Sequence, residues 1–102
     1  SLLMVRLPLA NQRGPLREML VEARPGDREG AGVSITRMVQ IRDAVDRLCA
    51  EIDAGRLQVD ETMMVAIAEV VARDGGFLAH DLLCKLASRS RNGREVLKAQ
   101  AQ

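Results

Sequence analysis

The sequence predicts an all-α fold: one small domain of four helices, one short and three longer, with an extended N-terminal arm. Its 102 residues suit a single domain. An apolar fraction of 47% beside 28% charged residues is typical of globular chains. Phe77 is the only aromatic residue, so Leu, Val, Ile, Met and Ala must fill the core, and most of these favour helices.

The first third of the chain carries the weaker helix signals. Residues 2–9 are apolar and are interrupted at Pro8, so we expect residues 1–14 to form the extended arm. Pro15 suits the first position of a short helix over 15–23, where a missing N–H has no cost. One Pro and three Gly follow in residues 24–32, which predicts a flexible loop over 24–33.

Residues 35–54 carry the clearest helical pattern. Ser34 can cap this helix, because a short polar side chain accepts the free N–H groups of a first turn. Gly55 supplies the left-handed conformation in which many helices end. Apolar residues recur every three or four positions, which predicts a buried seam along one side. The seam consists of Met38, Ile41, Val45, Leu48 and Ile52.

The segment TMMVAIAEVVA, residues 62–72, is nearly all apolar. Its Val and Ile residues favour a strand. A helix is nevertheless predicted, because Asp60 can cap it and Glu61 suits the positive helix end. The length of the segment and its alanines also favour a helix. On such a helix the polar side is one narrow stripe. The stripe consists of Thr62, Ala66, Glu69 and Arg73. A surface helix in a small protein normally exposes a wider polar face.

Gly75 and Gly76 interrupt the chain after this helix. A further helix is predicted over residues 77–90, with its leucines facing inward. Residues 34–92 would therefore form the helical core. After the turn at Asn92, residues 93–102 are expected to be a C-terminal tail with a short, fraying helix.

We expect a second chain to cover the 62–72 helix, because the predicted neighbouring helices are too few to enclose it. Each large apolar side chain left in water costs about 1.5–3 kcal/mol, against a domain stability of about 5–15 kcal/mol. A two-fold homodimer is the commonest solution. The alternative is a monomer closed by residues 2–9. The predicted interface residues are Met63, Met64, Ile67, Val70 and Val71, with a charged rim at Arg42, Glu69 and Arg73.

Catalytic and metal-binding patterns are weak. His80, the only histidine, is four residues from Cys84, a spacing that suits a reactive thiolate pair or two metal ligands. A structural zinc site needs four ligands, however, and Cys49 is predicted to lie on another helix. The Gly-rich loop lacks the Lys-Ser/Thr ending of a phosphate-binding loop. We therefore predict no enzymatic activity, no cofactor and no metal.

A net charge of +1 is small for a protein that binds a phosphate backbone. The alternative to a protein partner is nevertheless a helix-turn-helix DNA binder formed by residues 62–92, since the turn of that motif often contains Gly. The residues that would contact DNA are Lys85, Arg89, Arg91 and Arg94.

No apolar run approaches the ~20 residues that span a bilayer, and no basic amphipathic helix with aromatic anchors suits a membrane surface. Together with the lack of a leading signal segment, this favours a cytoplasmic protein with free thiols at Cys49 and Cys84. The Arg-rich composition suggests a bacterial gene. The function predicted by elimination is a non-enzymatic protein-interaction module. It would act stoichiometrically as a regulator, anti-activator, adaptor or chaperone, docking an apolar helical surface on a partner such as a transcription regulator.

Overall fold

The computed structural model describes residues 28–29 and 32–101, and this part of the chain is an all-α domain of four helices preceded by a small hairpin. The helices are α1 (Ile35–Asp53), α2 (Glu61–Asp74), α3 (Ala79–Ala87) and α4 (Gly93–Leu97). Two 3-10 turns, Gly76–Leu78 and Lys98–Ala101, precede α3 and follow α4. The predicted arm over 1–14 and the predicted helix over 15–23 lie outside the described residues.

The hairpin corrects part of the predicted loop over 24–33. Strand β1 (Arg28–Glu29) pairs antiparallel with β2 (Gly32–Val33), so that Arg28 lies opposite Val33 and Glu29 opposite Gly32. Four of the ten loop residues thus make ladder contacts. The prediction failed here because so short a strand has no room for an apolar alternation.

Both predicted helix caps are confirmed. The Ser34 hydroxyl accepts the backbone N–H of Arg37 at 3.1 Å, and the Asp60 carboxylate accepts the N–H of Met63 at 2.9 Å. Just beyond α1, Gly55 adopts a φ of 74°, the left-handed conformation expected of it. The caps explain why α1 and α2 begin where the sequence places them.

The helix predicted over 77–90 is shorter in the structure, because tight turns replace its ends. Residues Gly76–Leu78 form a 3-10 turn, in which the N–H of Leu78 bonds to the carbonyl of Gly75 at 3.0 Å. At the other end, Arg89 and Ser90 donate to carbonyls three residues back, each at 3.1 Å. Such bonds tighten a last turn, so the regular helix stops at Ala87.

The predicted C-terminal tail over 93–102 is instead part of the fold. Helix α4 and the turn after it pack against α2, and Val96 and Ala99 are buried in the core. Their spacing of three residues places both side chains on one side of the segment. The prediction treated this segment as fraying because it is short and polar, but these two apolar side chains belong to the core cluster.

Helix α2 lies at the centre of the domain. It packs against α1, α3, α4 and the Lys98–Ala101 turn. The buried seam of α1 is confirmed, except that Ile52 at its end is only partly buried. On α3, Leu82, Leu83 and Leu86 face the same core. The core is therefore aliphatic, as the composition predicted.

Candidate functional site

The five predicted interface residues on α2 are all buried within one chain. Exposed fractions for Met63, Met64, Ile67, Val70 and Val71 range only from 0% to 8%. The expectation that α2 lacks a cover within its own chain is therefore wrong. The cover that the sequence analysis did not count is the C-terminal segment, whose Val96 and Ala99 belong to the same apolar cluster.

The narrow polar stripe of α2 is confirmed as its outer side. Thr62, Glu69 and Arg73 are exposed, and Ala66 is half-buried between them. The predicted charged rim residue on α1, Arg42, is exposed as well and lies 3.3 Å from the neighbouring Asp43. Beside this stripe, α2 has only Glu61, Val65 and Ala72 partly exposed. The helix therefore presents no continuous apolar docking face, and the homodimer loses the argument on which it was predicted.

Two of the four cations proposed to contact DNA are engaged in ion pairs. The Lys85 ammonium lies 2.6 Å from Asp46, and Arg89 holds both carboxylate oxygens of Asp53 at 2.8 Å. Hydrogen bonding to Asp46 raises the pKa of Lys85, and hydrogen bonding to Arg89 lowers the pKa of Asp53. The Lys85 pair joins α3 to α1, and the Arg89 pair joins the turn after α3 to the end of α1.

The other two proposed DNA contacts are also exposed, Arg91 in the turn after α3 and Arg94 in the first turn of α4. The outer side of α3 also carries Asp81, which would face the phosphates of a bound duplex. Of the four cations in the DNA prediction, two are thus paired with acids of α1, and the outer side of α3 adds one acid.

His80 and Cys84, the candidate reactive pair, contact each other on α3. The Cys84 sulfur lies 3.8 Å from Nε2 of His80, on the exposed side of the helix. Within residues 32–99, no three His, Cys, Asp or Glu side chains are grouped as metal ligands would be. Cys49 is buried, and burial raises the pKa of its thiol. Both cysteines are free thiols, as predicted.

A buried ion pair that the sequence analysis missed links the start of α1 to the end of α2. Arg37 and Asp74 are both at most 1% exposed, and Nε and Nη2 of Arg37 each lie 3.2 Å from Oδ2 of Asp74. Arg73 also bonds to this carboxylate, at 3.0 and 2.8 Å. Burial by itself raises the pKa of Asp74, but the bonds from Arg73 and Arg37 outweigh it and lower the pKa.

The sequence did contain a signal for this pair. An acid in the last turn of a helix faces the negative end of the helix dipole, which is unfavourable unless a cation compensates. Asp74 is the last residue of α2. Its position therefore predicts a nearby cation, although not that Arg37 would supply it.

The chain after Asp74 turns sharply against α1. Gly76 has a φ of 56°, and a Cβ at this position would overlap the side chain of Met38 and touch that of Val33. Only glycine fits this turn without strain. The following residue, Phe77, is thereby held outside the core with 82% of its surface exposed.

Phe77 lies in the 3-10 turn and Ile35 is the first residue of α1, two elements that pack against each other, and both side chains are exposed. We call these two residues the apolar corner. Ile35 is 70% exposed and lies in the chain between Val33 and Met38, the two residues that Gly76 approaches. The sole aromatic side chain of the protein is thus presented to solvent rather than packed. Sequence reasoning missed it, because the apolar pattern predicted that residues 77–90 would pack as a helix.

A groove of about 230 Å³ lies beside this apolar corner, between α1 and α3. Leu78 and Leu82 line its apolar part, and two cations and two carboxylates surround them. The charged residues are Arg42, Asp46, Asp81 and Lys85. We call this the α1/α3 groove.

Comparisons with known proteins provide no assignment, since no protein-family model, curated protein or solved structure matches the chain. Among the described helices, none combines the length and apolarity needed to cross a membrane. The apolar corner and the α1/α3 groove are therefore the features of the described chain from which a function can be argued.

Proposed function

We propose that this protein is a non-enzymatic protein-interaction module that acts stoichiometrically on another protein. Its role would be that of a regulator, anti-activator, adaptor or chaperone, with a partner such as a transcription regulator. The contact surface would be the apolar corner, Ile35 and Phe77, in place of the buried residues of α2. The observation that supports the proposal is the 82% exposure of Phe77.

An aromatic ring left in water forgoes the free energy that its burial in an interface would supply. Burying a Phe side chain is worth about 1.5–3 kcal/mol relative to leaving it in water, and aromatic side chains are enriched at protein interfaces. The Gly76 turn and the buried pair of Arg37 and Asp74 hold the backbone beside Phe77 in one conformation. A fixed anchor loses little conformational entropy on binding, which favours docking.

The proposed absence of catalysis is supported by the position of the candidate reactive pair. Cys84 and His80 lie on the open side of α3, and neither belongs to the residues that line the α1/α3 groove. Among the described residues, none encloses this pair in a site that would exclude water from a reacting substrate.

The DNA-binding alternative has less support. Lys85 and Arg89 already pair with carboxylates of α1. Of the four proposed DNA contacts, this leaves Arg91 and Arg94 to meet phosphates, and a two-phosphate contact provides weak binding.

The test is affinity capture from a lysate of the cells that make the protein, with wild type and Phe77→Ser compared. We expect a protein that co-purifies with the wild type and stays bound when the salt is raised from about 50 to 200 mM. It should not co-purify with Phe77→Ser. Leu97→Ser is the matched control, since Leu97 is another exposed apolar residue, on α4. Capture of nucleic acid that is lost at the higher salt and with Arg91→Ala/Arg94→Ala would instead establish the alternative.

A further inference from the structure

We propose that the apolar corner also binds a second copy of this chain, in a two-fold dimer where Phe77 of each copy occupies the α1/α3 groove of the other. The inference rests on the proposed function, because it uses the same exposed ring. It names an additional occupant for that ring and a form of regulation that follows from it.

The groove suits an aromatic ring. Its volume of about 230 Å³ corresponds to several water molecules at about 30 Å³ each, and its apolar lining is Leu78 and Leu82. A ring placed against these two leucines would remove apolar surface from water, which favours binding. Phe77 cannot fill the groove of its own chain while the turn holds it 82% exposed.

Ring and groove are neighbours on one surface, since Phe77 directly precedes Leu78. A surface that carries a protrusion beside a matching depression can be self-complementary. In a two-fold interface, residue i of one copy contacts residue j of the other, and the reverse contact follows by symmetry. One rotation would therefore fill both grooves.

The charges at the groove do not repel a second copy. Two cations and two carboxylates line it, so its formal charge is zero. At one end, Lys85 and Asp46 form an ion pair at 2.6 Å. One helical turn earlier on each helix are Arg42 and Asp81. Within the part of the chain that the structure describes, Asp81 forms no ion pair, and Arg42 contacts only its exposed neighbour Asp43.

Arg42 and Asp81 complement each other between copies. Asp81 follows Phe77 by four residues, about one turn, so an incoming ring carries its own Asp81 toward the groove that it enters. The cation available there is Arg42. The dimer would contain this pair twice, and opposite charges across an interface fix its register.

The dimer is expected to be weak and reversible. One ring, one groove and one charge pair per copy make a contact smaller than the roughly 1,200 Å² of a standard interface. A partner protein that binds Phe77 would have to displace the second copy. Self-association would then limit partner binding at high protein concentration.

Sedimentation equilibrium of the full chain tests the dimer. We expect a concentration-dependent monomer–dimer equilibrium, with Phe77→Ser raising the dissociation constant at least about thirtyfold, as loss of an anchor side chain does. Leu97→Ser should leave it unchanged. A wild-type protein that stays monomeric, or a dimer that is indifferent to Phe77→Ser, would overturn the proposal. Unchanged thermal melts confirm that both variants fold.

A charge-exchange experiment tests the arrangement. Arg42→Glu and Asp81→Arg should each weaken the dimer, because each places like charges across the interface twice. An equimolar mixture of the two variants should restore a dimer, since every cross-pair is then opposite in charge. A mixture that associates no better than its components contradicts the arrangement.

The dimer and the proposed function fail in different ways. If the protein is monomeric but capture of another protein still depends on Phe77, the dimer is wrong and the function stands. If the dimer depends on Phe77 while capture does not, the dimer stands and the proposed partner surface is wrong.

Discussion

Helix α2 and the apolar corner are both rich in apolar side chains, yet the structure treats them in opposite ways. Apart from the partly exposed Val65, the Met, Ile and Val residues of α2 are almost completely enclosed, whereas Phe77 and Ile35 are mostly in water. The sequence predicted that α2 needs a partner to cover it and that Phe77 begins a helix packed in the core. The apolarity of a segment thus does not determine its exposure.

The difference in exposure between α2 and the apolar corner arises from the residues that pack against each region. Helix α2 gains a cover from residues far along the chain, Val96 and Ala99. Phe77 follows the tight turn in which Gly76 lies against Met38, and its side chain is left in solvent. The burial of α2 therefore depends on a contact between distant segments, and the exposure of Phe77 follows from a local turn.

The largest expected effect comes from placing a charge in each region. Ile67→Asp would put a carboxylate among apolar side chains and destabilise the fold by at least about 4 kcal/mol, leaving much of the protein unfolded. Phe77→Asp should fold normally, because that position is open to solvent. Circular dichroism during thermal unfolding measures both. A cooperative, unshifted transition in Ile67→Asp would contradict the burial of α2.

A buried and an exposed ion pair provide the second comparison. Asp74→Ala removes a carboxylate from the buried Arg37 and should cost about 3–5 kcal/mol. Asp53→Ala breaks the pair with Arg89, where Asp53 is half-exposed, and should change stability little. Urea unfolding of both variants measures the difference. Equal effects would mean that the Arg37–Asp74 pair is not enclosed.

The C-terminal cover of α2 is tested by two neighbouring residues. Val96 is fully buried and Leu97 is partly exposed. Val96→Ala should cost about 2 kcal/mol, from lost burial and the cavity left behind. Leu97→Ala should stay within about 0.5 kcal/mol, as surface changes usually do. Free energies of unfolding from urea titrations provide the comparison, and a larger effect at Leu97 would contradict the placement of α4.

The smallest expected effect is a pH dependence at Asp74. Its pKa is lower in the folded protein than its ordinary value of 3.8, so its stabilising contribution is present above that value and is lost as the pH falls through the folded pKa. The free energy of unfolding should therefore decrease in acid, below about pH 5. Asp74→Asn should show a shallower decrease. An identical slope in the variant would exclude Asp74 as the source.

The sequence predicted the elements whose signals are local. Ser34 and Asp60 cap the helices they were expected to cap, and Gly55 ends the first of them. The polar stripe of α2 was also predicted, because it depends only on helical periodicity.

The features that depend on contacts between distant segments were not predicted. Val96 and Ala99 form too short a pattern to stand out, and their role depends on α4 returning to α2. The pairing of Arg37 with Asp74 joins residues 37 positions apart, and no periodicity encodes such a contact. The exposure of Phe77 depends on the Met38 side chain against Gly76. All three are tertiary contacts that a single sequence does not specify.

The most direct test of the comparison is to measure how accessible the two regions are to a soluble paramagnetic probe by nuclear magnetic resonance, in dilute solution where the protein is monomeric. We predict strong relaxation enhancement of the Phe77 ring protons and little enhancement of the Met63 and Met64 methyl groups. The reverse pattern, with accessible methionines and a protected ring, would contradict both the enclosure of α2 and the surface from which the function is proposed.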